Sequence, residues 1–236
     1  MKYTQSVFSV KFEPIKEIRD RVHDIENVIK DAYLPMSLLP VPEDVFYDVP
    51  RMVAESKFKH SRLSVTQLSV DIVMNFDNEF SFDYEKIEKY IKERALLAKK
   101  VLETLNVKEY LYFGVINNIE LDTNGKTSVN FMREFVSNKC DPDAREITLR
   151  TVVLKEDKYF ISKQYTTFER YDMNFPSPAL ICFDKNKKKG NGVALSLDVN
   201  NRYGFSYCNG RNSIYSYEEE LEKILNIGKT EINKEV

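Results

Sequence analysis

Leu63-Ser64-Val65-Thr66-Gln67-Leu68-Ser69-Val70-Asp71-Ile72-Val73-Met74-Asn75-Phe76 is the stretch that decides the fold class. Its apolar residues recur at every second position, the period of a strand with one buried face. Leu63 and Val65 keep one phase, while Leu68, Val70, Ile72, Met74 and Phe76 keep the other, with a slip near Gln67. Such a slip turns side chains to the opposite face unless a bulge absorbs it, so one long bulged strand is expected.

Upstream, Phe8, Val10 and Phe12 alternate with polar residues and predict a strand closed by Pro14. Ile15, Ile18, Val22, Ile25 and Ile29 come after it at helical spacing, predicting an amphipathic helix over 15–31. Pro35, Pro40, Pro42 and Pro50 exclude a long helix across 35–50, because proline lacks the amide donor. That stretch is expected to be an extended crossover packed on the core through Leu38, Leu39, Val45 and Phe46. Downstream, Ser81 or Asp83 caps a helix carrying Ile87, Ile91, Leu97, Val101, Leu102 and Leu105.

Residues 109–122 read as a strand, and Asn124-Gly125 as a hairpin turn into a second strand over 129–136. A further hairpin spans 147–154 and 159–171 across the polar turn 155–158. Strands are expected at 180–183, 193–199 and 203–207, and a helix at 217–225 with Ser216 as its cap and fraying from Lys229. The sum is an α+β fold, a largely antiparallel sheet backed by two to three long helices. It divides into halves 1–126 and 127–236 within one compact unit. Ser69-Val70-Asp71-Ile72 echoes Ser196-Leu197-Asp198-Val199, and Ile87-Glu88-Lys89-Tyr90-Ile91 echoes Leu221-Glu222-Lys223-Ile224-Leu225, so the halves read as related.

The chemistry narrows by elimination. Two histidines, His23 and His60, and three scattered cysteines leave no zinc knuckle, serine triad or thiol–imidazole pair. No glycine-rich phosphate loop is present, and a net charge of −2 supplies no global attraction to nucleic acid. No metal, cofactor or catalytic residue is therefore assigned. The odd cysteine count, the absence of a signal peptide and the lack of an apolar run of membrane length predict a cytoplasmic protein. Frequent Lys, Asn, Ile and Tyr suggest a bacterial or mobile-element origin.

Four local features are candidates for function. Arg51, Lys57, Lys59, His60 and Arg62, with Phe58 among them, form a basic stretch suited to phosphate or single-stranded nucleic acid, or else a solvated edge. The loop 185–192 is the densest positive patch and is also explained as a solvated hairpin tip. Asp71 and Asp198 lie in apolar strands, where two carboxylates could share a divalent metal, although alternation turns them to the solvated face. Tyr110 and Tyr112 stand out among aromatic strand residues that could receive a partner segment, together with Phe8, Phe12, Tyr159, Tyr165 and Phe168.

Phe12-Glu13-Pro14-Ile15-Lys16-Glu17, Pro50-Arg51, Tyr110 through Ile119, and Leu195-Ser196-Leu197-Asp198-Val199 ahead of the terminal helix carry a resemblance. Their order resembles a sporadically distributed family of uncharacterised bacterial proteins. Members usually have a more basic, arginine-containing strand near 110–119, from which this chain departs. That resemblance implies no catalytic residues. The arrangement is also similar, at fold level, to SecB-like chaperones, whose curled antiparallel sheets are backed by helices and present apolar grooves. The leading expectation is a binding or protein-interaction module, chaperone-like in form, with a protein or peptide partner and homo-oligomerisation open to it. A nucleic-acid or nucleotide-phosphate binder using residues 51–62 is the alternative, and a carboxylate-dependent metal hydrolase is third.

Overall fold

A computed structural model describes residues 1–42, 44–136, 141, 143–172 and 185–235. The chain begins with strand β1 (Lys2–Lys11), which becomes a central strand of the sheet. A 3-10 turn at Ile18–Arg21 leads into helix α1 (Val22–Ile29), so the first helix starts later than the isoleucine spacing implied. Glu17, with φ of 57°, holds the left-handed conformation just before that turn, which delays helix entry.

The proline-rich crossover contributes only β2 (Ser37–Leu38) before β3 (Met52–Glu55). Leu38 and Phe46 are exposed rather than packed on the core. The expected long bulged strand is two strands, β4 (Ser61–Val65) and β5 (Ser69–Asn75). The phase slip marks a tight turn at Gln67-Leu68. Thr66 N donates to Ser69 O at 2.9 Å, and Leu68 N donates to the Thr66 hydroxyl at 3.1 Å. A hydroxyl that binds the backbone two residues on stabilises a turn, and that chemistry decides between bulge and hairpin.

Helix α2 (Tyr84–Thr104) is next, and Asp83 is its cap, accepting from Lys86 N. Strands β6 (Glu109–Tyr110) and β7 (Tyr112–Leu121) continue the chain. Asn124 and Gly125 do take positive φ, 50° and 77°, as their turn chemistry predicts. Beyond that turn the chain forms a helix, α3 (Ser128–Val136), and not the expected strand. Thr127 starts it, its hydroxyl accepting from Asn130 N at 3.4 Å, and Ser128 and Met132 face inward one helical turn apart.

The second hairpin is β8 (Thr148–Lys155) with β9 (Tyr159–Tyr171), close to the expected bounds. Strand β10 (Lys188–Asn200) starts earlier than expected and absorbs much of the lysine-rich loop. The strand expected at 180–183 lies outside the described residues. Residues 203–207 form part of helix α4 (Arg202–Cys208) and not a strand. After β11 (Asn212–Ser213), helix α5 (Tyr217–Ile232) runs well past Lys229. Its far end is tied to β9, where Lys163 meets Glu231 at 3.0 Å and Glu235 at 2.7 Å.

Among the described residues, nine strands form one antiparallel sheet in the order β2-β3-β4-β5-β1-β7-β10-β9-β8. One face carries Phe8, Val10, Val70, Ile72, Phe113, Val115, Leu195 and Leu197, all buried beneath the helices. Tyr217 of α5 closes that core, with its ring 4.9 Å from Phe113 and its hydroxyl donating to Ala95 O of α2 at 2.9 Å. The opposite face presents Gln5, Ser9, Lys11, Ser64, Asp71, Asn118, Ser196 and Asp198, mostly short and polar.

From β3 to β8 the order reads alike from either end. The units β1, β3, β4, β5, α2 and β7, β8, β9, β10, α5 are topological counterparts related across the β1–β7 pair. Their registers agree. Val53, Ser64, Asp71 and Ser9 lie in one row, and Val152, Ser162, Asp198 and Ile116 occupy the matching row. The echoed sequence words thus sit at equivalent places. The second unit begins at β7, ahead of the division expected at residue 127. Across the junction, Lys92 of α2 pairs with Glu222 of α5, and Lys229 of α5 meets Glu88 at 3.4 Å.

Gly114 is required by a close approach, since a Cβ there would sit 2.6 Å from Asn200 Cβ. Gly114→Ala is expected to lower stability by about 1–3 kcal/mol through overpacking between β7 and β10. Urea unfolding checks it, and an unchanged midpoint would refute the close-packing argument.

Candidate functional site

The basic stretch does not assemble into one site. Arg51 is fully buried, with its guanidinium donating to Val49 O at 2.8 Å, Val45 O at 2.7 Å and Gln67 Oε1 at 3.0 Å. It ties the proline-rich crossover to the β4–β5 turn, and a buried charge needs such partners. Lys57, Phe58 and Lys59 form the exposed turn after β3, where Lys59 has φ of 59°. Six residues of extended chain, about 20 Å, separate Arg51 from that tip. His60 lies 4.0 Å from Asp77, and Arg62 lies 3.6 Å from Glu55 on the neighbouring strand. The lysine-rich segment is also engaged, with Lys188 against Glu169 and Lys189 3.0 Å from Asp172.

Tyr110 is wholly buried among Phe113 and Tyr217, so it belongs to the core and offers no surface. Burial pushes its hydroxyl far above the usual phenol range. Tyr112 faces the other way and is half-buried under α4, 5.7 Å from the Phe205 ring with Arg202 above it. Asp71 and Asp198 share the face opposite the α2–α5 layer but are separated by β1 and β7. Three strand spacings put them about 14 Å apart, too far to share one metal ion. Asp71 instead accepts from the Ser9 and Ser69 hydroxyls, with Lys11 at 3.5 Å. Among the described residues no group of three or more His, Cys, Asp and Glu is arranged to hold a metal.

Exposed apolar residues occur in succession at β8, besides others such as Phe46, Phe58, Phe82 and Tyr215 elsewhere on the surface. This strand ends the sheet and pairs only with β9 among the described residues. Val152, Val153 and Leu154 are 52%, 56% and 37% exposed. Three apolar residues in succession defeat alternation, so whichever way the strand turns, apolar groups reach both faces. On the helix side, Leu149 lies opposite Tyr165, whose ring stacks at 5.6 Å on Phe135 of α3, itself half exposed. On the other side, Leu154 lies opposite Phe160, which meets Tyr203 and Tyr207 of α4. An apolar band therefore wraps around the sheet edge. The Val152-Val153-Leu154 run was the sequence signal for it.

Glu220 shows how the edge hairpin is held. It is buried at the start of α5, accepting from Lys158 at 2.6 Å and from the Tyr159 hydroxyl at 3.0 Å. Burial and this carboxylate together raise the Tyr159 hydroxyl well above the phenol range. The β8–β9 turn is thereby clamped to the helix layer, leaving β8 a supported edge.

Arg51→Met is expected to cost about 2–4 kcal/mol, because Val45 O and Val49 O lose buried donors. Lys57→Ala and Lys59→Ala should shift stability by less than about 0.5 kcal/mol. Chemical denaturation compares them, and a harmless Arg51→Met would contradict the structural role. Asp198 offers a pH test. Burial raises its carboxyl pKa against the opposing pull of Asn200, Arg150 and Arg202. Its stabilising contribution is full below the usual carboxylate range and is lost as pH rises through the elevated value. Asp198→Asn should therefore raise the urea midpoint at neutral pH, with the advantage shrinking in acid. A lower midpoint at neutral pH would show that the charged form is net favourable.

No family model matches the chain, and comparison with curated proteins found no match. The functional reading therefore stands on the chemistry of the edge itself.

Proposed function

We propose that this chain is a protein-interaction module whose docking element is β8, which takes up an extended polypeptide segment as an added antiparallel strand. The observation that carries it is an eight-residue edge strand, unpaired on its outer side among the described residues, with exposed apolar residues on both faces at Val152, Val153 and Leu154. Main-chain hydrogen bonds from such an edge supply affinity, and alternate side chains supply selectivity. Natural sheets usually blunt their edges, so an edge left long and apolar favours use.

The opposite end of the sheet supports the same reading by contrast. There β3, the counterpart of β8, is covered by β2, with Ser37 opposite Val53 and Leu38 opposite Met52. The chaperone-like form of the proposal draws on the sheet face opposite the α2–α5 layer, which only α4 covers among the described helices, and on the SecB-like resemblance. Because Gln5, Ser9, Ser64, Asp71, Asn118, Ser196 and Asp198 interrupt the apolar residues of that face, the weight falls on the edge and its apolar band. The nucleic-acid alternative loses Arg51 to the interior and retains Lys57 and Lys59 at an exposed turn, with His60 and Arg62 each beside a carboxylate. A cytoplasmic setting accords with Cys208, a free and exposed thiol, and none of the described helices is long and apolar enough to cross a membrane.

Selection of linear peptides on the purified protein tests the proposal. Selected sequences should be rich in alternating apolar strand formers and should slow hydrogen exchange at 148–155 while leaving 52–55 unchanged. Val153→Lys should weaken their binding by about tenfold. Protection at the Lys57–Lys59 turn instead, with binding lost in salt, would replace this reading with the nucleic-acid one.

A further inference from the structure

We infer that Arg94 of α2, held against the rings of Tyr33 and Tyr90, anchors a binding site for a phosphoryl dianion. The site lies beside the β3–β4 turn, in the other unit of the sheet, and does not depend on β8.

The guanidinium carbon of Arg94 is 4.6 Å from the centre of the Tyr90 ring and 5.3 Å from that of Tyr33. A ring attracts the cation as a whole but supplies no oxygen acceptor, so the N–H donors are left unsatisfied. Among the described residues Arg94 donates to no carbonyl, hydroxyl or carboxylate, even though its Nε is buried. The other arginines set over rings differ. Arg170 over Phe168 pairs with Glu120, Arg202 over Tyr112 donates to Ser206 at 3.2 Å, and Arg211 over Phe205 meets Glu13 at 2.6 Å. Along α2, the positions one turn from Arg94 are Tyr90, Ile91, Leu97 and Ala98, none of them a carboxylate.

The two rings are themselves fixed. Tyr90 donates to Ser61 Oγ at 3.2 Å, and the Tyr33 hydroxyl shares a 2.9 Å hydrogen bond with the same oxygen. Burial pushes the Tyr33 hydroxyl up to about 12 against the pull of Ser61 and Arg94, so it stays protonated at neutral pH. Ser61 closes the β3–β4 turn, where Ser56 N donates to Ser61 O at 2.7 Å and Ser61 N to Ser56 Oγ at 2.9 Å. A guanidinium positioned before its ligand arrives loses little freedom on binding.

Charge selects the ligand. The turn that Ser61 closes carries Lys57 and Lys59, both exposed and without a carboxylate among the described residues. Lys57 N donates to Ala32 O at 3.1 Å, which sets this turn against the segment holding Tyr33. Lys30, also exposed, ends α1 just ahead of that segment. Glu55 is balanced by Arg62 at 3.6 Å and Asp77 by His60 at 4.0 Å, while Asp31 and Glu93 are exposed and pair with none of these cations. A guanidinium fork with ammonium groups beside it suits the dianionic oxygens of a phosphate monoester or of free phosphate better than a lone carboxylate.

Calorimetric titration of the full chain at constant ionic strength tests the inference, with inorganic phosphate, methyl phosphate and acetate as probes. Phosphate should bind saturably, and acetate about tenfold more weakly or less. Tighter methyl phosphate identifies an esterified ligand and tighter inorganic phosphate the free ion, and either result supports the site. Arg94→Lys keeps the charge but loses the fork, and should weaken phosphate by about tenfold. Lys57→Ala combined with Lys59→Ala should weaken it by about threefold. Circular dichroism checks that each variant keeps its fold. In the unchanged protein the Arg94 Nε–Hε resonance should move with phosphate and stay in place with chloride, a readout that needs no variant. Absence of saturable binding, acetate bound as tightly as phosphate, or phosphate binding indifferent to Arg94→Lys overturns the inference. Val153→Lys should leave the phosphate titration unchanged, so this site and the β8 reading fail separately.

Discussion

The antiparallel pairing of β1 with β7 is the constraint on which the remaining architecture depends. Phe8 faces Val115 and Val10 faces Phe113 across this seam, so fully buried aromatic side chains of the two units meet at one line. With that register set, β5 can add only on the outer side of β1 and β10 only on the outer side of β7. Helices α2 and α5 must then cover the same face, where Tyr217 fills the space between them. A shift of one residue at the seam would put Phe8 and Phe113 on opposite faces of the sheet.

Much of this was legible in the chain. Period-two alternation located β1, β5, β7, β9 and β10, and Asp83 announced α2. The echo of Ser69–Ile72 in Ser196–Val199 pointed to paired units, and the strand registers place the two words in matching rows. Local contests were where the pattern misled. Thr66 turned a phase slip into a hairpin through its own hydroxyl. Thr127 and Met132 turned a strand-like run into α3, and residues 203–207, apolar enough for a strand, became α4 when Phe205 packed over Tyr112. Short amphipathic segments satisfy both periods, and only tertiary contacts arbitrate between them.

The candidate site was less legible for a different reason. Charge in a sequence looks available, yet Arg51 and Glu220 are engaged inside the protein, one gathering carbonyls of the crossover and the other clamping a hairpin turn. Aromatic residues mislead in the same way: Tyr110 and Tyr112, two positions apart, are a core residue and a half-covered surface residue. The informative feature was a break in pattern, three apolar residues in a row at a strand whose outer neighbour the described chain does not supply.

The central position of β1 also bears on how the molecule is made. Strand β1 pairs with residues 69–75 on one side and 112–120 on the other. Its second edge therefore stays open until residues 112–120 have been synthesised, with Phe8 and Val10 awaiting Phe113 and Val115. Contacts of such wide sequence separation slow folding and prolong the life of partly paired intermediates. The vulnerable moment for this protein comes during synthesis, when the seam at its centre is still an edge.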